Sequence, residues 1–227
     1  MAGTGRGEQG GGERRTDALS KERIVDAAIA ILDAQGESAL TFRALAASLA
    51  TGAGAIYWHV ANKNELLQAA ADAVITRVVS DESTREAPAA IRAIASGVFD
   101  AIDAHPWVGG QLLREPGQSA VMEILEGFGE QLEGLGVPER DQFNAASALV
   151  NYVLGSAGQF TAGARINPEG LGRTEFLARV ATRWTERHDA ATYPFAHRAA
   201  AQLREHDDRE QFLAGIDILV AGISTLR

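Results

Sequence analysis

From Ser20 to the C-terminus, apolar side chains recur three and four positions apart, and no segment alternates apolar with polar between hairpin turns. Ile24, Ala27, Ala28, Ile31 and Leu32 set the pattern, because that spacing gathers all five on one helix face. A half-buried strand needs period two, so the chain is predicted to be all-α. The punctuation agrees. Ser20 stands where an N-cap is needed and Gly36 where the helix must stop. Thr41 caps a short second helix whose buried side is Phe42, Leu45, Ala46 and Leu49. A turn at Thr51-Gly52 opens a third helix, 53–59. Asn62-Lys63-Asn64-Glu65 is an asparagine version of the capping box, with Glu65 at N3. It starts a long fourth helix with Leu67, Ala70, Ala71, Val74 and Val78 on its apolar side.

After a hinge near Ser80–Pro88, further helices are predicted near 88–104, 106–114, 118–134, 139–163, 174–188, 194–205 and 208–225. Pro106, Pro116, Gly134-Leu135-Gly136, the Asn167–Gly172 loop and Pro194 separate them. Residues 1–19 are rich in Gly, Arg and Glu and carry no hydrophobic period, which predicts a flexible arm. The expected organisation is therefore an arm (1–19), a small helical domain (20–66) and a larger helical body (67–227).

Several function classes fall away. With 46% hydrophobic and 22% charged residues the chain is globular in type, and no run approaches the ~18 apolar residues of a membrane helix. The N-terminus lacks the apolar core of a secretory signal, so a cytoplasmic location and no membrane partner are expected. The absence of cysteine removes disulfides, thiolate metal sites and a thiol nucleophile. Gly5, Gly7 and Gly10 spell G-x-G-x-x-G, but no strand precedes them and no helix follows, so they are discounted as a dinucleotide site. His105, His188, His197 and His206 have no partner at metal-binding spacing. Gly155-Ser156-Ala157-Gly158 is not a nucleophile elbow. No catalytic residue, metal or cofactor is expected, and the chain is not read as an enzyme.

The net charge of −9 argues at first against a nucleic-acid partner. Its distribution removes the objection. Residues 1–63 hold seven basic and seven acidic side chains, so the whole negative excess lies beyond them. A charge-balanced end can approach phosphate while the acidic remainder is repelled by it. Helices of that length joined by tight turns fit a tri-helical helix-turn-helix, whose third helix enters the major groove. On spacing alone they fit a small stabilising bundle equally well.

The stretch RIVDAAIAILDAQGESALTFRALAASLATGAGAIYWHVANKNELLQAAAD, residues 23–72, resembles the N-terminal domain of the tetracycline repressor (TetR) family. The Arg-Ile opening, the L-T-x-R-x-L-A-x-x-L second helix and Y-W-H-V-x-N-K-x-x-L-L carry the likeness. Weaker similarity runs through LVNYVLGSAGQ and REQFLAGIDILVAGI. The resemblance implies a homodimeric, ligand-responsive repressor of a palindromic double-stranded DNA operator, with no metal requirement. Two other classes remain to compare: a constitutive or architectural DNA-binding protein without an effector site, and an enzyme on a helical scaffold.

The resemblance also implies roles. Tyr57, His59, Lys63 and Thr41 contact phosphate, and Arg43 reaches a guanine edge or phosphate. Trp58 belongs either to the DNA face or to the core of the small domain. Ala53, Gly54 and Ala55 stand where the tetracycline repressor carries polar base-reading side chains, so direct base readout is reduced here. Arg6, Arg14 and Arg15 of the arm are candidates for the minor groove. In the C-terminal part, Phe99, Trp107, Gln111, Leu112, Arg114, Phe128, Asn151, Tyr152, Gln159, Phe160 and Trp184 are the expected effector pocket, apolar walls with a few polar anchors. Gln111 and Gln159 align with a histidine and a glutamate that surround the magnesium-bound drug in the tetracycline repressor. Neutral amides are poor ligands for that ion, which implies a different effector. Two apolar faces, Phe143, Ala146, Leu149, Val150, Val153, Leu154 and Ala157, and Phe212, Ile216, Leu219, Val220 and Ile223, are expected at the dimer seam. Gly215 and Gly222 are expected to let the helices approach there.

Overall fold

The computed structural model describes residues 19–79, 86–114, 117–166 and 171–226, with backbone alone at 160–166 and 173. The expected arm, apart from Leu19, lies outside them, as do Pro116 and most of the expected hinge. Among the described residues every regular element is helical, eleven α-helices and two 3-10 turns, with no strand. The chain divides into two compact units, Met1–Ala70 and Ala71–Arg227.

In the first unit, α1 (Lys21–Gln35) begins where the Ser20 hydroxyl accepts the Arg23 amide, 3.3 Å. It ends at Gly36, whose φ of +76° suits glycine and whose amide closes on the Leu32 carbonyl. A 3-10 turn, Glu37–Ala39, leads to α2 (Phe42–Ser48), capped by the Thr41 hydroxyl on the Ala44 amide at 3.1 Å. α2 stops in a Schellman motif: Thr51 N–H returns to Ala46 O and Ala50 N–H to Ala47 O. The position that favours glycine holds Ala50 at φ +50°. The same motif ends α7 (Ser119–Gly134) with Gly136 in that place.

The third helix, α3 (Ala53–Tyr57), is shorter than expected, because the His59 and Val60 amides both turn back to the Ile56 carbonyl and close the last turn. Ile24, Ala28, Leu40, Leu45 and Ile56 are fully buried and form the core of this unit. Each large one contributes about 1.5–3 kcal/mol by leaving water. Phe42 and Leu49 are only half-buried, against expectation, since a seven-residue helix turns little more than Leu45 and Ala46 inward.

α4 (Lys63–Val79) runs across the division between the units. Asn62 Oδ1 accepts the Glu65 amide at 2.9 Å, and Glu65 Oε2 accepts from Ala61, one residue before the usual partner in a capping box. Leu66 and Ile75 are buried along with the expected Leu67, Ala70, Ala71 and Val74. In the second unit α4 seats on α7. Asp72 Oδ1 accepts the Ala120 amide at 2.8 Å, so a carboxylate from another helix caps α7, and Thr76 donates to Glu123 at 2.6 Å.

The remaining helices are α5 (Ala87–Ala104), α6 (Pro106–Leu112), α8 (Glu139–Ile166), α9 (Arg173–Arg187), α10 (Pro194–Leu203) and α11 (Asp208–Ile223). α7 packs on α5 and α8, α11 on the same two, and α9 pairs with α10. Proline opens α6 and α10, where its missing amide would have no helical partner. Much of the expected seam turns out to be this unit's own core. Ala146, Leu149, Val150, Val153 and Ala157, like Phe212, Ile216 and Ile223, are buried within the chain. The outward side of α8 is instead Phe143, Asn144, Ala148, Asn151 and Gly155, and that of α11 is Ala214, Ile218, Ala221 and Gly222. Phe143 and Ile218 are 75% and 73% exposed. Gly215 serves an approach inside the chain, against Tyr152, while a Cβ at Gly222 would meet nothing.

Candidate functional site

On the first unit, Ile56 is the inward anchor of α3, 0% exposed, and this fixes what the helix presents outward. Gly54 stands one turn before Tyr57 and Trp58 on the outer side. Tyr57 is 55% exposed and its ring lies flat on Phe42 of α2, centroids 4.3 Å apart and planes 2° apart. That stack aims the phenol without occupying its hydroxyl. Trp58 is 90% exposed, which rules out the core role: the indole stands free at the end of α3. Thr41 and Arg43 are exposed at the start of α2, on either side in sequence of the Phe42 on which Tyr57 stacks, and Gly54, Tyr57 and Trp58 are exposed on α3 and at its end. Ala53, Ala55 and His59 are half-exposed. His59 is near enough to Glu22 to help hold that carboxyl below its ordinary value, after its own amide and the Ser20 hydroxyl. Lys63 also holds the fold. Its ammonium donates to the Glu37 carbonyl at 2.6 Å, tying the 3-10 turn to α4 and leaving two of three protons for other acceptors.

The second unit holds an open cleft of about 940 Å³. Phe99 of α5, Tyr152 of α8, Phe176 and Trp184 of α9 and Phe212 of α11 give it aromatic walls. Phe212 packs against Phe99 at 5.2 Å and Tyr152 at 5.4 Å between centroids. Tyr152 donates its hydroxyl proton to the Phe212 carbonyl at 3.1 Å. Burial pushes that phenol's pKa up, against a smaller opposite pull from Ser156, so it stays protonated at neutral pH. The rim is charged. Arg209 donates to both oxygens of Asp100, at 2.7 and 2.8 Å, and to the Ser96 hydroxyl. These bonds hold the Asp100 carboxyl below its ordinary range. His206 meets Asp208 at 2.9 Å, and Asp207 caps α11 through the Glu210 amide.

Of the expected pocket residues, Phe99, Tyr152, Gln159 and Trp184 line the cleft. Phe128 and Leu112 do not, because they are core, and Asn151 faces out from α8. Trp107 lies beside His105, 6.2 Å between ring centroids, and is not in the lining. Gln111, 3% exposed, accepts from Arg114 at 3.3 Å and takes the Gln118 side-chain amide on its own carbonyl, apart from the cleft. Gln111 and Gln159 thus do not share one cavity wall. The Phe160 side chain lies outside the described residues. Sequence reasoning missed the rim. Asp100 and Asp103, one turn apart beside Phe99, were a legible signal; Asp207, Asp208 and Arg209 gave none, since only the tertiary fold brings them to α5.

Comparison with known proteins places this geometry. The model for bacterial regulatory proteins of the tetR family matches residues 24–70, and that for the tetracyclin repressor-like C-terminal domain matches 86–227. The chain belongs to the tetR family of bacterial regulatory proteins. An HTH-type transcriptional regulator of Saccharopolyspora erythraea is 34% identical over 149 residues, 63% of this chain. The HTH-type transcriptional repressor DrrR1 of Streptomyces coeruleorubidus is 31% identical over 143 residues, 61% of this chain. The matched stretches span 61% and 53% of those two relatives' own length. Among solved structures, the transcriptional regulator SCO7222, a TetR from Streptomyces coelicolor, superposes with a TM-score of 0.81 at 49% identity, covering 92% of this chain and 99% of that one. ActR of Streptomyces coelicolor in complex with actinorhodin gives 0.73 at 25%, covering 90% and 95%. BioQ with its double-stranded DNA operator gives 0.59 at 26%, covering 92% and 99%.

Proposed function

We propose that the protein is a cytoplasmic, ligand-responsive transcriptional repressor, and not an enzyme, that binds a palindromic operator as a homodimer and is released by a small-molecule effector. The carrying observation is the pairing, in one chain of this family, of an exposed Thr41–Arg43–Tyr57–Trp58 surface with an aromatic cleft of about 940 Å³. A cleft of that size suits a drug-sized ligand. Relatives holding a small molecule in one case and an operator in another support the reading.

In this reading Tyr57, Trp58, His59, Thr41 and Lys63 dock on the backbone. Arg43 supplies the polar base contact that Ala53, Gly54 and Ala55 lack, and DNA shape supplies further selectivity. The outward faces of α8 and α11, small residues around Phe143 and Ile218, form the dimer seam. Recognition helices of the two protomers must then meet half-sites about 34–36 Å apart. Effector and operator favour different dimer geometries, so each weakens the other by the same factor. α4, which belongs to both units, carries the change. The test is a gel shift with DNA upstream of the protein's own gene, repeated across a panel of metabolites and antibiotics. A shift abolished by a compound that also raises the melting temperature is expected. No shift at low salt with any promoter fragment would sink the reading.

A further inference from the structure

Resting on the reading of the cleft as the effector site, we propose that it takes an aromatic cation, with Asp103 as the counter-charge. The first ground is the fate of the hydrogen-bond donors on the lining. Tyr152 donates its hydroxyl hydrogen bond to the Phe212 carbonyl, and the Ser156 hydroxyl donates to the Tyr152 carbonyl at 2.9 Å. Among the described residues the one arginine on the lining, Arg209, is engaged by Asp100 and Ser96. Among the described residues the lining therefore offers a ligand mostly acceptors, with Gln159, Thr174 and Gln211 as mixed groups and the Trp184 indole N–H as a neutral donor.

The second ground is the charge left over. Among the described residues four aspartates line the cleft against one arginine: Asp100 is paired with Arg209, Asp208 meets His206, and Asp207 accepts an amide of the first turn of α11 and keeps its charge. Asp103 is exposed on α5, one turn beyond Asp100, and has no protein partner among the described residues. The third ground is the walls. Phe99, Tyr152, Phe176, Trp184 and Phe212 put aromatic rings on the lining, and the face of an aromatic ring attracts a cation and repels an anion. A flat or globular apolar cation satisfies all three at once; a carboxylate or phenolate ligand would meet acceptors and an unneutralised Asp103.

The experiment is calorimetric titration of the full chain with tetraphenylphosphonium and with tetraphenylborate, which share shape and differ in charge sign. Phosphonium binding, with borate at least about tenfold weaker, is expected. Asp103→Asn should weaken phosphonium binding roughly three- to fivefold, as loss of an exposed counter-charge does, while Asp103→Glu retains it. Both variants sit on the surface, and unchanged melting curves verify their folding. Equal or tighter borate binding, no binding of either ion, or an unchanged Asp103→Asn titration overturns the proposal. A promoter gel shift on the same preparations separates the two levels. Failure of the ligand class leaves the shift intact, whereas failure of the regulator reading removes it.

Discussion

Gly215→Ala probes whether α11 is notched to seat the tyrosine of the cleft. On an open helix surface this change stabilises by about 1 kcal/mol, because alanine is the better helix former. At position 215 the added Cβ would fall well inside contact distance of Tyr152 Oη and Cζ and 3.0 Å from Cε2. The ring is backed by Phe212 at 5.4 Å, so it must swing away and give up its 3.1 Å hydrogen bond to the Phe212 carbonyl. Overpacking of this kind costs about 1–3 kcal/mol, and the lost bond about 1 more. Set against the propensity gain, the net is a destabilisation of about 1–3 kcal/mol. For a chain of this length that is a fall in melting temperature of roughly 3–10 °C. Thermal denaturation followed by circular dichroism reads it directly. The same substitution in a Tyr152→Ala background should change sign and stabilise, since the obstacle is gone. If Gly215→Ala raises the melting temperature of the otherwise unaltered protein, the notch is not what holds Tyr152.

Three further outcomes follow from the geometry. Lys63→Ala should reduce the salt slope of operator binding by about one unit and cost about 1 kcal/mol of stability through the lost Glu37 bond; anisotropy titrations across salt that give an unchanged slope would remove its phosphate contact. Tyr57→Phe should weaken binding to all DNA sequences by about 1 kcal/mol yet leave the melting temperature alone, because the Phe42 stack needs only the ring. Asp100 has its carboxyl held below the ordinary 3.8 by Arg209, so its contribution is present above that value and disappears as pH falls through the lower folded-state pKa. Urea midpoints of Asp100→Asn should thus sit slightly below those of the parent at neutral pH and converge with them once the pH has fallen through the lowered folded-state pKa. The gap is small because the pair is half exposed to solvent.

Helix ends were legible because their chemistry is local. Ser20, Thr41 and Asn62 all cap through a side chain three residues from its partner amide, and Pro106 and Pro194 open helices as their fixed φ allows. On α3 the outward Tyr57 was legible, while Trp58 stayed open between surface and core until the structure showed it exposed beside the buried Ile56. Facing was harder. α8 is 28 residues long and apolar on more than one side, and nothing local says that Leu149 and Val153 point at their own unit. The cap on α7 is donated by Asp72, 48 positions earlier, and the notch at Gly215 matters only because Tyr152 lies across from it. Such pairings are properties of the packed fold and leave no mark in a short window.

The front of α3 has a consequence for engineering. A Cβ placed at Gly52 or Gly54 would meet no atom within 4 Å, and neither residue adopts a positive φ. The frame that holds the helix, Ile56 beneath and Phe42 under Tyr57, does not touch these positions. They behave as an address field kept separate from the machinery that reads it. New side chains can be written there without refolding the reader; at Gly54, inside α3, most would strengthen the helix, whereas at the N-cap Gly52 only Ser, Thr, Asn or Asp would match glycine. On the proposed function, a set of operator-selective variants that do not cross-react could therefore share one cleft and one response.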